Sequence, residues 1–272
     1  MTSPVVSVLV PTNVHTPWLD QAVASLIEQS GATIEIVVVH DGIKPDPRLS
    51  WVHNPRVRCV TNNRSRGVAW ALNLGASHCS GEFIARLDGD DVALPGRLST
   101  QIDYLRRHPA AVVVGSRAHL IDVNGKRLGR LGTAPAGECD VRPLLLKRNA
   151  IVHSSAMFRR ADLEAVGGYR SALRQMEDYD LWLRMAHRGE VHVLADELVQ
   201  YRLHGGQLSR GAPATGPHIS AVLKGRRALA RLLNFPMPLQ LARDGAWWAA
   251  QVARRQGWRP AGYSRFLESK PD

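Results

Sequence analysis

The 272-residue chain predicts an α/β fold: a single mixed, mainly parallel sheet flanked by helices, with a helical, basic C-terminal appendage. Three observations predict it. Short runs rich in Val and Ile alternate with helical spacings through the first half, as βαβ units do. Polar or acidic loops follow directly after several of those runs. Beyond about residue 212, arginines interleave with leucines and tryptophans at helical spacing.

Taken in order, residues 5–10 are a β-rich apolar run that suits a strand buried on both faces. Residues 18–29 carry Leu19, Val23, Leu26 and Ile27 on one helical stripe. Residues 34–39 form a second buried strand, ending at His40-Asp41-Gly42, and 57–61 a third. A helix over 67–76 leads to a fourth strand at 83–87, which runs into Asp88-Gly89-Asp90-Asp91. Residues 97–107 read as a helix stopped by Pro109, and 112–114 as a short strand. Right-handed crossovers make such strands parallel. The middle is less regular. Residues 118–131 suggest a hairpin around Asn124-Gly125, 141–148 a helix, 154–158 a strand and 161–166 a short helix before Gly167-Gly168-Tyr169. Residues 179–187 are helical, with Leu181, Trp182, Leu183 and Met185 covering most of the surface; 191–194 and 199–203 read as two strands.

The chain is 44% hydrophobic, enough for a substantial core. The apolar run near the N-terminus is short and has no basic residues before it, unlike a signal peptide. No stretch has the roughly 18–20 apolar residues of a membrane span. A cytoplasmic protein is the expectation. Cys59, Cys79 and Cys139 are odd in number and lack metal spacing, which suits reduced, buried thiols. The formal charge of +11 attracts polyanions. Nucleic acid is disfavoured as a partner: aromatics are only 6%, and carboxylates at strand ends repel phosphate.

Three clusters carry candidate chemistry. Two carboxylates one small residue apart, as in Asp88-Gly89-Asp90, can face one hard cation such as Mn²⁺ or Mg²⁺ and leave positions for diphosphate oxygens. An Asx turn with solvated carboxylates is the plainer reading of such a turn alone. Residue 99 is Ser, which excludes an EF-hand. Glu177-Asp178 opens a helix, as a capping pair or as a general base. His204, in Tyr201-Arg202-Leu203-His204 with Ser209 beyond, is a metal ligand if it reaches the acidic turn. P-loop, GxGxxG, HExxH and GxSxG patterns are absent.

In order, these pieces resemble the inverting family 2 glycosyltransferases of GT-A fold. Val6 to Asn13 (VSVLVPTN) is similar to the family's opening strand, and Ile34 to Gly42 (IEIVVVHDG) to its strand ending in acid and Gly. Asn63 to Ala76, Gly81 to Asp91 (GEFIARLDGDD), Glu177 to Arg184 (EDYDLWLR) and Tyr201 to His204 (YRLH) continue the match, over roughly 4–210. Two departures bear on the nucleobase: Asn13 stands where an aromatic is common, and His40 and Ile43 replace the usual Asp and Ser.

The resemblance implies a nucleotide-diphosphate sugar donor, with a UDP-sugar favoured, and an acceptor carbohydrate or lipid-linked sugar. It implies that Pro11, Thr12, Asn13, Asp41 and Arg66 line the nucleotide pocket, with Asp41 on the base. Asp88 and Gly89 lie by the ribose and diphosphate. Asp90 and His204 hold Mn²⁺ or Mg²⁺, and Asp178 is the base with Glu177 beside it. Residues 1–212 become the catalytic domain, its nucleotide half reaching about 115 and its acceptor half covering 116–212; 213–272 is the extension. The tail's arginines and tryptophans suit either peripheral contact with the anionic inner face of a membrane or a cap packed on the catalytic domain. Two other classes fit parts of the pattern: a metal-dependent nucleotidyltransferase and a non-catalytic nucleic-acid-binding protein. The first wants a Gly-rich basic loop after strand one, which 11–18 lacks.

Overall fold

A computed structural model describes residues 5–132, 140–207 and 213–256. Cys139, Ser209 and Trp258 lie outside them. The first half follows the sequence closely. Strand β1 (Val6–Thr12) leads to helix α1 (Pro17–Ile27), β2 (Ile34–Asp41), β3 (Val57–Asn62), α2 (Val68–Ala76) and β4 (Phe83–Arg86). Thr16 caps α1 by accepting the Leu19 N–H at 3.3 Å, and Pro17 supplies a preset first turn. These four strands are parallel, in the order β3-β2-β1-β4.

Consecutive residues of the inner strands serve opposite cores, because side chains alternate along a strand. Leu9, Val37 and Val39 pack with Leu72 of α2, whereas Val8, Val10, Ile36 and Val38 pack with Val23 and Leu26 of α1. An unbroken Val/Ile run therefore marks a sheet covered on both faces. Helix α2 lies so close that a Cβ on Gly75 would come within 2.7 Å of Val39 and 2.8 Å of Leu9. Glycine there is a packing requirement.

The second half returns through the same sheet. A two-residue strand β5 (Val92–Ala93), not foreseen, precedes α3 (Arg97–Arg107), β6 (Ala111–Ile121) and β7 (Arg127–Leu131). Then come α4 (Arg142–Leu145), a 3-10 turn at His153–Ser155, β8 (Met157–Arg159), α5 (Arg160–Ala165), α6 (Glu177–Met185) and β9 (Glu190–Arg202). The full order is β3-β2-β1-β4-β8-β6-β9-β5, with β7 hairpinned on β6. Strand β8 runs antiparallel to both β4 and β6, while β6 and β9 pair in parallel. The sheet is mixed and mainly parallel, as expected.

Four boundaries differ from the sequence reading; the strand expected at 154–158 is Met157–Arg159, preceded by the 3-10 turn. The strand expected at 112–114 extends through Ile121 and merges with the hairpin. The two strands expected at 191–194 and 199–203 are one 13-residue strand. Exposed Ala195 and Asp196 mimic a turn there, but the register against β6 absorbs them as a bulge. The helix expected over 141–148 is a single turn at Arg142–Leu145, with Pro at its start.

Helices α7 (Pro217–Leu232) and α8 (Met237–Arg255) close the described chain. Val222, Leu229 and Ala230 of α7 join the core formed by Trp182, Leu183 and Phe158. The appendage therefore shares a core with the sheet. No helix among the described residues is long and apolar enough to cross a membrane.

Candidate active site

The polar ends of β1, β4 and β9 meet at one edge of the sheet, the usual place for ligands in open α/β folds. β1 ends in Pro11 and Thr12, both half-buried, and Asn13 is exposed. The Thr12 hydroxyl donates to the Val14 carbonyl at 2.6 Å and turns the chain toward α1. The acidic turn abuts this end: a Cβ on Gly89 would meet Leu19 at 3.2 Å and the Pro11 carbonyl at 3.5 Å.

The turn closes through the Asp91 N–H donating to the Asp88 carbonyl at 3.2 Å. It brings carboxylate oxygens of Asp88, Asp90 and Asp91 within 4.8 Å of one another. Each has a different environment. Asp88 pairs with the buried Arg86 guanidinium and accepts the Ser154 hydroxyl at 2.7 Å. Burial opposes the Asp88 charge, yet Arg86, His153 and the Ser154 hydroxyl together outweigh it and hold the carboxyl below its usual range. Asp91 is fully buried. One of its oxygens accepts the Arg202 N–H at 2.8 Å, and the other has no protein partner. Burial, then the neighbouring Asp90 and Asp88 charges, push the Asp91 carboxyl well above its usual range.

Asp90 meets His204 across 114 residues of chain: His204 Nε2 lies 2.7 Å from Asp90 Oδ2. The Trp18 ring backs the imidazole at 4.8 Å. Arg202, 2% exposed, ties the surroundings together. Its guanidinium donates to the Asp90 carbonyl at 2.9 Å and the Gln21 amide oxygen at 2.8 Å. It also reaches the Asp122 and Val123 carbonyls of the β6–β7 turn at 3.2 and 3.3 Å. Three carboxylates and an imidazole, with one orphaned buried oxygen among them, fit a hard divalent cation such as Mn²⁺ or Mg²⁺.

Glu177 and Asp178 open α6 and feel the charges of Arg86 and Asp88. Asp178 Oδ1 accepts the Tyr179 N–H at 2.6 Å, and Oδ2 accepts the Asn149 amide at 2.6 Å. Burial raises both carboxyls from their usual range. With the adjacent Asp178 charge it pushes Glu177 up to about 7, while Arg86 pulls both back down.

Asp41 and Arg66 make their contacts in the neighbouring loop rather than in the acidic turn. Asp41 accepts Asn62 Nδ2 at 2.8 Å, the Ser65 hydroxyl at 2.9 Å and the N–H groups of Arg66 and Gly67 at 3.1 and 2.9 Å. These donors overcome burial and keep the carboxyl low. Gly42 turns the chain here at φ +85°, with Ser65 too close to admit a Cβ. The Arg66 guanidinium stacks on Trp70 at 4.9 Å. His40 points away, stacked 6.4 Å from Trp51, and burial, then the nearby His15, lower it to about 4.

Sequence reasoning missed four residues: Arg86, Asn149, Ser154 and Arg202. Arg86 leaves a signal, a lone Arg inside an apolar strand two residues before an Asp. Asn149 and Ser154 leave none, because β8 alone brings their segment under the acidic turn.

A curled sheet carrying a carboxylate turn, a facing imidazole and a helix-borne acid pair is the framework of a GT-A transferase. The glycosyl transferase family 2 model matches residues 7–167. The chain is 33% identical over 189 residues to the amylovoran biosynthesis glycosyltransferase AmsE of Erwinia amylovora, covering 68% of this chain and 70% of that one. It is 27% identical over 218 residues to the O-antigen biosynthesis glycosyltransferase WbnJ of Escherichia coli, covering 77% and 84%. S. aureus TarS 1-349 in complex with UDP-GlcNAc superposes with a TM-score of 0.69 at 17% identity, covering 97% of this chain and 76% of that one. Against the longer TarS structure the chain spans 46% of the length. The protein belongs to glycosyltransferase family 2 and is a glycosyltransferase. The nucleotidyltransferase and non-catalytic nucleic-acid-binding alternatives are thereby set aside.

Proposed function

We propose that the enzyme moves a sugar from a nucleotide-diphosphate donor, a UDP-sugar first, to an acceptor hydroxyl with inversion at the anomeric carbon. The acceptor is a carbohydrate or lipid-linked sugar in polysaccharide or glycoconjugate assembly. The relatives named for amylovoran and O-antigen biosynthesis support that class, and the UDP-GlcNAc complex of TarS supports the donor class. One observation carries the reading: Asp90 and His204, 114 residues apart, converge to 2.7 Å beside the unpartnered Asp91 oxygen.

Asp90 and His204 would hold the divalent cation, with Asp91 beside them. Such a cation, when bound, neutralises charge developing on a diphosphate leaving group. Pro11, Thr12, Asn13 and Gly89 line the nucleotide side. Asp41 shapes it by holding the 62–67 loop, which presents Arg66. Asp88, fixed by Arg86 and Ser154, borders the ribose and diphosphate. Asp178 accepts the acceptor hydroxyl proton as that oxygen bonds the anomeric carbon; the bond to the diphosphate breaks and the nucleoside diphosphate leaves with the electron pair. An α-linked donor gives a β-linked product. Glu177, raised to about 7 by burial and the Asp178 charge, stands next to the base.

The decisive experiment is a thermal-shift screen of UDP, GDP and their sugars with and without Mn²⁺. Stabilisation by mass action is expected for one nucleotide, and only with the cation present. Equal stabilisation of Asp90→Ala would overturn the cation assignment.

The outer side of α8 suits the membrane part of this reading. Leu239 and Leu241 are exposed and Trp248 is 45% exposed, on a helix that also carries Arg243, Arg254 and Arg255. A cytoplasmic enzyme touching the inner leaflet there would meet lipid-linked acceptors. Co-sedimentation with phosphatidylglycerol vesicles at moderate salt should retain the protein; release of all protein sinks the membrane contact.

A further inference from the structure

We propose that α7 and α8 are the positioning support of Asp178, acting through the Leu146 carbonyl and the Asn149 amide. The inference rests on Asp178 being the base and extends it to a part of the chain outside the family match.

Helix α7 buries Arg226 among its apolar core residues, and the buried residues of α8 are polar while its leucines face out. Arg226 and Gln240 are fully buried and Asp244 is 3% exposed, whereas Leu239 is 57% exposed. The buried groups form one cluster. Asp244 accepts Gln240 at 2.8 Å and Arg227 at 2.8 Å, and pairs with Arg226 at 3.2 Å. Burying a guanidinium is expensive, and a buried ion pair rarely stabilises more than apolar packing would. The cluster has a target. Arg226 Nε and Nη2 donate to the Leu146 carbonyl at 3.0 and 2.5 Å, and Gln240 Nε2 joins them at 3.1 Å. One carbonyl thus receives donors from both helices. The Tyr179 hydroxyl takes the preceding Leu145 carbonyl at 2.5 Å.

Three residues past Leu146, Asn149 accepts the Ile151 N–H at 3.3 Å through its Oδ1. That bond fixes which end of the amide faces the site. The Nδ2 end is left for Asp178 Oδ2, at 2.6 Å. The link from helix pair to base is therefore continuous: Arg226 and Gln240, the 145–149 turn, Asn149, Asp178. Trp247 seals it, lying under Arg226 at 5.2 Å and edge-on to Tyr179 at 6.4 Å.

Charged and titratable groups reach Asp178 from every side. Glu177 shares its helix, Arg86 and Asp88 face it from β4 and the turn beyond, and Tyr169 from the loop before α6. Tyr179, with Arg226 and Asp244 behind it, closes the back. Of the side chains, Asn149 is the one donor bonded to the Asp178 carboxylate among the described residues. Losing a donor to the ionised form makes a carboxyl harder to ionise.

The test follows the Asp178 carboxyl by NMR in the full chain labelled at aspartate 13Cγ, with Asp178→Asn identifying the resonance. Asn149→Ala should move the titration midpoint to higher pH. Gln240→Met, which changes no charge, and Arg226→Met should move it the same way by less. Combining Asn149→Ala with Gln240→Met should match Asn149→Ala alone, because both act through one contact. With the donor chosen by the thermal screen, turnover of Asn149→Ala should fall about tenfold, the worth of one hydrogen bond to a charged group. Its UDP affinity with Mn²⁺ should hold within about twofold. An unmoved midpoint in Gln240→Met and Arg226→Met, or shifts that add in the double variant, overturns the proposal. If Arg226→Met fails to fold, Gln240→Met alone decides. Full turnover in Asp178→Asn would instead remove the base assignment.

Discussion

The acidic turn at 88–91 and the acidic pair at 177–178 lie within electrostatic reach of each other, yet they are held by different means. At the turn each carboxylate has its own partner: Asp88 meets the Arg86 guanidinium, Asp90 the His204 imidazole, and Asp91 the Arg202 backbone N–H. At the pair, burial dominates and only neutral donors touch Asp178. The first arrangement keeps the Asp88 charge in place, while burial and the acidic neighbours push Asp91 up. The second makes negative charge uncomfortable, so that the carboxylate gains by taking a proton. Residue type alone says nothing of this division; the neighbours make it.

The largest expected effect tests the pair. Asp178→Asn should lower turnover about a thousandfold, within the range for a general base, while UDP still binds with Mn²⁺ by calorimetry. In the wild type the rate should decline as pH falls, because the raised carboxyls at 177 and 178 protonate nearer neutrality than ordinary acids. An acid limb near pH 4 would erase the contrast. Next, Asp90→Ala should cost about a hundredfold and abolish the Mn²⁺-dependent thermal shift. Arg86→Met should make the turn resemble the pair. Donor KM is expected to rise about tenfold, with urea stability changed by no more than about 2 kcal/mol, since two unpartnered buried guanidinium nitrogens disappear with the ion pair. Smallest is Ser154→Ala, which removes two hydrogen bonds with Asp88, one donated to its carboxylate and one accepted from its N–H; donor KM should rise a few-fold, about 1 kcal/mol. An effect larger than that of Arg86→Met would reverse the roles given to these two residues.

The same contrast separates what could be read in the sequence from what could not. The Val/Ile runs announce strands buried on both faces, and each acidic motif at their ends is visible as a string of letters. The 88–91 turn was legible for that reason, Asp178 as an acid opening a helix, and His204 as an imidazole just past a strand. Asn149 and Ser154 were not. They lie in an irregular stretch with no period, and their partners are 29 and 66 residues away. Only the antiparallel return of β8 beside β4 brings Ser154 to Asp88. The sequence reading of β9 as two strands failed because Ala195-Asp196-Glu197 has turn-like polarity; pairing along β6 overrides it. The polar inward face of α8 also inverted the usual pattern, so its tryptophans suited a membrane surface or a packed cap alike, and its Gln240 and Asp244 went unnoticed.

β9 has one consequence beyond the fold. Arg202 is its final rung and His204 follows two residues later, so both inherit their heading from the pleat. Deleting a single residue in the 195–197 bulge would turn the strand end over by half a period. The imidazole would then face the sheet's far side while the rest of the protein stayed intact. Insertions of two residues would restore the heading but slide it along the ladder. The bulge thus acts as the phase setting of the site, and length there should tolerate change only in steps of two.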